Sequence, residues 1–191
     1  MKRIFAAIKV EPNENLLRVY DELKDDLRYE KIKWVEPQNI HITLKFFGET
    51  SDEKIDDICE VFDVIAQRHP AFTLQMQNVG IFGSSYNPRV VWFGMKESSE
   101  IEKLANDVLK SVEEVGFPRD RQNFRPHLTV GRIKVIQDKR YFQQVINKFK
   151  NTFLQTIPVN SFLLIESKLR PQGSVYNIVE VFPLCDFNNK S

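Results

Sequence analysis

The chain has 191 residues, 42% of them apolar and 28% charged, and this composition excludes a disordered protein. Its formal net charge of +1 excludes a histone-like or tail-driven nucleic-acid binder, although a local basic cleft stays compatible with it. Two isolated cysteines indicate no disulfide framework, and no segment has the features of a signal peptide or a membrane span, so we expect a cytoplasmic protein without membrane association.

The first half of the chain alternates predicted strands and helices. Residues 4–10 predict a strand, and residues 14–28 predict a helix because their apolar positions recur at helical spacing. A short extended segment over 32–35 leads into a strand over 39–48, which ends at a glycine. A second helix over about 53–67 and a half-exposed strand over 71–82 follow, and the turn-forming residues of 83–88 predict a loop.

The second half repeats this order of elements. A strand over 90–95, a helix over 100–115, a strand within 124–132 and a helix over 139–150 lie about 86 residues after their counterparts, and three strands follow (153–159, 162–167 and 174–183). We therefore expect a single domain over residues 1–187, built from two pseudo-symmetric lobes. Their approximate repeats cover 4–82 and 90–167, 174–183 is a closing strand, and 188–191 is a tail.

A four-residue pattern, His-apolar-Thr-apolar, occurs once in each repeat and contains two of the three histidines in the chain. His41 and Thr43 fall on one face of their strand, and His127 and Thr129 share a face of theirs, because successive strand residues point to opposite sides. One strand histidine alone is more often structural than catalytic. Two such pairs lining one cleft would instead bring two imidazoles and two hydroxyl groups to one substrate.

Two acid/base groups and two neutral donors suit in-line displacement at a phosphodiester. One histidine takes a proton from the attacking water while the other gives a proton to the leaving oxygen, and the threonines hold the non-bridging oxygens. We expect no metal or other cofactor, since no cysteine pair or acidic cluster accompanies either histidine in the sequence. A cysteine nucleophile stays open as a weaker alternative, because neither cysteine has a histidine partner nearby in sequence.

The segments that carry the two patterns, NIHITLKFFGE and FRPHLTVGRIK, resemble the 2H phosphoesterase superfamily, and within it the RNA 2′,3′-cyclic phosphodiesterases formerly called 2′-5′ RNA ligases. The resemblance covers nearly the whole chain. It implies an α+β, duplicated bilobal fold with two antiparallel sheets around a central cleft and helices on the outside. It also implies hydrolysis of a 2′,3′-cyclic phosphate on RNA ends or nucleotides to a 2′-phosphomonoester. By this resemblance His41 is the proton donor, His127 the proton acceptor, and Thr43, Thr129 and Arg132 bind the phosphate.

Two arginines near the second pattern are further candidates. Arg132 matches the arginine that commonly ends the motif, but strict alternation puts it on the face opposite His127, so its role requires a bend near Gly131. Arg125 is as compatible with a surface charge as with a phosphate contact.

Three other residues could contact the base or backbone of an RNA substrate. Tyr176 and Phe47 could stack on a base, although burial in the core suits Phe47 better, and Lys45 could attract the backbone or simply be a solvated strand-edge lysine. The expected partner is RNA or a nucleotide with a 2′,3′-cyclic phosphate end, with no obligate protein partner. Two alternatives remain: another cyclic phosphate or a 2′-5′ oligonucleotide as substrate, and a non-catalytic nucleotide or RNA-end binding module.

Overall fold

The computed structural model describes residues 1–119, 124–171 and 173–185. Within these ranges the order of strands and helices follows the sequence prediction, and α1 and α4 end two residues before their predicted ends. The elements are β1 (Lys2–Lys9), α1 (Glu14–Asp26), β2 (Lys31–Trp34), a 3-10 turn (Pro37–Asn39), β3 (His41–Thr50), α2 (Asp52–Ala66), β4 (Phe72–Gly83), β5 (Pro88–Met95), α3 (Ser99–Glu114), β6 (Leu128–Val135), α4 (Lys139–Lys148), β7 (Phe153–Val159), β8 (Ser161–Arg170) and β9 (Gly173–Pro183).

Each α-helix begins where a polar side chain caps it. The side-chain oxygen accepts a hydrogen bond from the backbone N–H three residues later, which satisfies a donor that the first helical turn leaves unpaired. The four capping residues are Asn13, Ser51, Ser98 and Asp138.

The strands form one antiparallel sheet in the order β7-β4-β5-β6-β3-β1-β8-β9, with β2 also paired to β6. Its two halves meet between β3 and β6, which the described residues join through one registered pair, Ile42 and Leu128. Beyond that pair β6 continues beside β2, so the halves part next to the two histidines. The expected α+β fold with two lobes is confirmed, and its two sheets are continuous through this one pair.

The order of strands is symmetric about the junction of β3 and β6. β1 and β5 lie next to the central strands, and β8 and β4 lie outside them. β4, however, hydrogen-bonds to β5 and β7, so the strand that closes the predicted first repeat lies in the half that contains β6. The repeat ranges 4–82 and 90–167 stay a prediction, and the predicted tail 188–191 lies outside the described residues.

Helices cover the outer face of both halves. α2 contacts β8 and β9 while α3 contacts β3, and on the other half α1 contacts β7 and α4 contacts β4. Alternation along β1 shows the two faces: Ile4, Ala6 and Ile8 join the main core, while Phe5 and Ala7 join a small cluster on the opposite side. Within the described residues no helix combines the length and apolarity needed to cross a membrane. The cytoplasmic location stays a prediction.

Candidate active site

The two His/Thr pairs lie at the junction of the half-sheets. Ile42 and Leu128, the residues that join β3 to β6, are fully buried, so the residues beside them face the other side of the sheet. The antiparallel register sets His41 on the side of Thr129 and Thr43 on the side of His127. All four side chains line one cavity of about 400 Å³, which we call the cleft.

Both histidines are held in the same way. The Nδ1 atom of His41 is 2.7 Å from the carbonyl oxygen of Asn39, and that of His127 is 2.7 Å from the carbonyl oxygen of Arg125. Because a carbonyl oxygen only accepts, we assign the proton of each neutral ring to Nδ1. Each Nε2 is then a base when the ring is neutral and a proton donor when the ring is charged.

Burial lowers the pKa of both histidines, because the charged imidazolium loses hydration in the cleft. The hydrogen bond to the carbonyl oxygen opposes this change in each case. The positive charge of Arg132 lowers both pKa values further, and His127 also lowers that of His41. In the cleft without substrate the neutral form of both imidazoles is therefore favoured.

Aromatic rings restrict both imidazoles. The ring of His41 has its centroid 4.8 Å from that of Phe5 and 5.3 Å from that of Tyr176, with the tyrosine ring nearly perpendicular to it. The ring of Phe82 is perpendicular to that of His127 at 4.7 Å. Such contacts limit ring rotation, so each Nε2 keeps its direction while the Nδ1 hydrogen bond is held.

A β-bulge brings Arg132 to the cleft. Trp92 pairs with Thr129 and Val91 pairs with Gly131, so Val130 is an extra residue in β6. The extra residue shifts the alternation by one position, and Arg132 returns to the face of Thr129, where it lines the cleft. The bend that its role requires is present at the expected place.

β3 contains a matching bulge. Ala7 pairs with Thr43 and Ala6 pairs with Lys45, which leaves Leu44 as the extra residue. Alternation is shifted here too, so Lys45 turns into the protein interior and Phe46 turns toward the cleft. The prediction that side chains alternate strictly between the two faces from His41 onward is therefore wrong beyond Leu44.

Because of this bulge, Lys45 and Phe47 do not make the substrate contacts for which they were candidates. Lys45 is only 5% exposed, and its Nζ donates a hydrogen bond to the carbonyl oxygen of Pro118 at 2.8 Å. Phe47 packs against the rings of Phe62 and Phe117, as its apolar character favours. The structure places both side chains away from the cleft.

Phe46, for which the sequence predicted no role, takes the place expected for Phe47. Its side chain is 45% exposed, and the guanidinium carbon of Arg3 lies 4.9 Å from the centre of its ring. Both Phe46 and Arg3 line the cleft. A signal for Phe46 was available, because it follows its motif histidine by five residues, as Arg132 does.

The two remaining candidates differ in place. Tyr176 lines the cleft, where its ring also contacts that of Phe5 at 5.2 Å. The side chain of Arg125 is exposed and is not among the described residues that line the cleft. Arg125 contributes to the site through its backbone, because its carbonyl oxygen lies 2.7 Å from Nδ1 of His127. The described ranges contain no group of three or more His, Cys, Asp or Glu side chains arranged to hold a metal ion.

Comparison with known proteins gives one consistent result. The family model for LigT-like phosphoesterases matches residues 8–92 and 94–176. An RNA 2′,3′-cyclic phosphodiesterase from Archaeoglobus fulgidus is 35% identical over 180 residues, covering 94% of this chain and 99% of the relative. The Aquifex aeolicus protein of the same name is 29% identical over 187 residues, covering 96% and 99% of the two chains.

Solved structures show the same fold. The crystal structure of TT0787 of Thermus thermophilus has a TM-score of 0.81 at 26% identity and covers 97% of this chain and 99% of its own. That of E. coli LigT complexed with 3′-AMP has a TM-score of 0.78 at 25% identity, with the same coverage. Both agree with this chain along nearly its whole length.

Proposed function

Because this chain belongs to the LigT-like phosphoesterase family, we propose that it hydrolyses 2′,3′-cyclic phosphates on RNA ends or nucleotides to 2′-phosphomonoesters. The observation that carries the proposal is the placement of two imidazoles in one cleft, each with Nδ1 bonded to a carbonyl oxygen and Nε2 available for proton transfer. The curated relatives named RNA 2′,3′-cyclic phosphodiesterase support the same reaction.

In the proposed reaction the two histidines move one proton each. Nε2 of His127 accepts a proton from water as the water oxygen attacks phosphorus, and the bond from phosphorus to O3′ breaks in line with the attack. Nε2 of His41 gives its proton to O3′, which leaves the phosphate on O2′. Thr43 and Thr129 donate hydrogen bonds to the non-bridging oxygens, and Arg132 neutralises their negative charge.

Because the pKa values of both histidines are lowered, we expect the bound substrate to help protonate the histidine that acts as general acid. A general acid must be protonated, yet burial and Arg132 both favour neutral imidazoles in the empty cleft. A bound phosphate anion offsets the charge of Arg132 and favours the imidazolium form of a neighbouring histidine. We expect a bell-shaped pH dependence whose two apparent pKa values belong to the pair of histidines.

Metal-independent catalysis is part of the proposal. Among the described residues that line the cleft there is no aspartate or glutamate, while hard cations prefer carboxylate oxygens. The cationic side chain of Arg132 stands where it can supply the charge that a metal ion would otherwise bring to a phosphate. Full turnover in EDTA is the expected result.

Phe46 and Tyr176 are the proposed contacts for the base of the terminal nucleotide. Both rings line the cleft, and a large part of the Phe46 ring is exposed there. Stacking of a base on an aromatic side chain contributes about 1–3 kcal/mol and tolerates any base. We therefore expect weak base preference.

The direct test is turnover of adenosine 2′,3′-cyclic phosphate in EDTA, with the product isomer identified by phosphorus NMR. His41→Ala and His127→Ala should each lower kcat by about a hundred- to ten-thousandfold, the usual contribution of a positioned proton donor or acceptor. His69→Ala is a matched control, because His69 pairs with Asp107 at 3.0 Å and is absent from the cleft lining.

Three results would contradict the proposal. Turnover that survives either cleft substitution would remove the two-histidine mechanism. Activity lost in EDTA and restored by a divalent ion would remove metal independence. A folded wild-type protein that binds the nucleotide without turnover would favour the non-catalytic binding module.

A further inference from the structure

A second, larger cavity of about 680 Å³ adjoins the cleft. Its walls come from β2, the 3-10 turn before β3, Arg132 of β6 and the hairpin of β8 and β9. The two cavities share Val35, Arg132, Ser174 and Tyr176, so they form one continuous depression. We call the larger cavity the upstream groove.

Three cations line the upstream groove. Lys33 on β2 pairs directly with Arg132 on β6, and like charges opposite each other in a sheet are unfavourable. Arg170 approaches from the hairpin, and all three side chains are exposed. None of the three forms an ion pair within the described part of the chain, where Glu36 is the one carboxylate of the lining. An anion between these cations would relieve their repulsion.

The walls of the groove are tied to the catalytic centre. The side-chain amide of Asn39 donates a hydrogen bond to the carbonyl oxygen of Ser174 at 3.4 Å, which joins the 3-10 turn to the hairpin. The carbonyl oxygen of the same Asn39 holds His41. Trp34, which lines the groove, packs its ring against that of Tyr20 at a centroid distance of 5.8 Å. The groove is therefore a built surface in fixed relation to the cleft.

We infer that the upstream groove binds the nucleotides that precede the cyclic phosphate in an RNA chain, with Lys33 and Arg170 contacting backbone phosphates. This inference rests on the proposed function and narrows its substrate to the ends of RNA chains rather than mononucleotides. Continuity with the cleft favours an extension of the same substrate over a separate ligand. The cations suit repeated phosphate charges, and the apolar and amide side chains between them, including Trp34 and Gln38, suit bases and riboses.

The test compares adenosine 2′,3′-cyclic phosphate with a three-adenosine RNA ending in the same group. Lys33→Ala and Arg170→Ala should each lower kcat/KM for the trinucleotide by about fivefold, the upper end for exposed ion pairs, and Arg170→Ala should leave the mononucleotide value unchanged. Lys33 lies opposite Arg132, so for Lys33→Ala the loss on the trinucleotide should exceed any change on the mononucleotide. The salt dependence of the trinucleotide KM should lose about 0.7 in log–log slope for each phosphate contact removed. Lys31→Ala is the matched control, since Lys31 is exposed on the same strand and absent from the groove lining.

A binding measurement tests this inference independently of the proposed function. Fluorescence anisotropy of a labelled three-adenosine RNA ending in a 2′-phosphate should show weaker binding to the Lys33→Ala/Arg170→Ala variant than to wild type or Lys31→Ala. If wild type does not turn over the mononucleotide, the proposed function fails, but this series of binding measurements still tests whether the groove binds RNA. Equal binding by all variants, or equal losses on the mononucleotide and the trinucleotide, would overturn the inference.

Discussion

Replacing Gly80 with alanine should destabilise the protein and disturb His127 through the rings of Trp92 and Phe82. Gly80 on β4 pairs with Trp92 on β5, and a Cβ atom at position 80 would lie less than 3.0 Å from three ring atoms of that tryptophan. The Trp92 ring packs against Phe82 at 5.5 Å, and Phe82 packs against His127 at 4.7 Å. A displaced indole would therefore push on the side chain that orients the proposed base.

The expected magnitude follows from overpacking. An added methyl group that forces a core ring to move costs about 1–3 kcal/mol. For a chain of this size each kcal/mol lowers the melting temperature by about 2–4 °C. If the shift reaches His127 and amounts to about 1 Å, kcat falls by up to a hundredfold, with less effect on KM.

A double-mutant cycle with Trp92→Phe tests this reasoning. The two nearest of the three contacted atoms, Cζ2 and Cη2, belong to the part of the indole that phenylalanine lacks, so the smaller ring makes room for the new methyl group. Trp92 Nε1 is buried and has no hydrogen-bond partner among the described residues, so removing it breaks no hydrogen bond seen there. Gly80→Ala should cost less than about 0.5 kcal/mol in the Trp92→Phe background, a strongly non-additive result.

Urea unfolding of the four proteins measures the coupling, and turnover of a 2′,3′-cyclic phosphate measures the effect on His127. The same cost for Gly80→Ala in both backgrounds would show that contact with Trp92 is not its cause. Lost stability with unchanged kcat would show that the packing of Trp92 does not reach His127 through Phe82.

Three further predictions concern the charged groups. Arg132→Ala should raise the pKa of both His41 and His127, because the arginine charge lowers them, so the pH profile of kcat/KM should move to higher pH; an unchanged profile contradicts this. The folded histidine pKa values lie below the ordinary 6.5, so the unfolded chain binds more protons as the pH falls. Urea unfolding should therefore show full stability above pH 6.5 and loss below it, with a smaller loss in His41→Asn/His127→Asn. Lys45→Met should lower stability by about 1–3 kcal/mol, since the carbonyl oxygen of Pro118 loses its donor, yet leave KM unchanged; a raised KM would contradict the placement of Lys45 away from the cleft.

Local sequence patterns were enough to predict the secondary structure. Apolar runs indicated the strands, and apolar positions at helical spacing indicated the helices. Each signal acts within a few residues along the chain. The His/Thr pairs were equally visible, because alternation around His41 and His127 stays regular over the motif itself.

The bulges were not predictable in this way. An extra residue at Leu44 or Val130 exists only relative to a partner strand, β1 or β5, that is distant along the chain. The sequence suggested a bend near Gly131, but only because Arg132 otherwise faced away from its histidine. Without the same step on β3, strict alternation put Lys45 on the face of His41 as a candidate backbone contact, and Phe46 was missed.

The sequence by itself determined the elements, their order along the chain and the two His/Thr pairs to which we assign the proposed chemistry, because these depend on local propensity and on the period of each element. Tertiary structure decided which side chains join those pairs. Strand pairing put Ile42 beside Leu128, shifted Arg132 and Phe46 into the cleft, and set Lys33 against Arg132 beside it. Contacts between residues far apart in the chain depend on the register of the whole sheet, which no local pattern records.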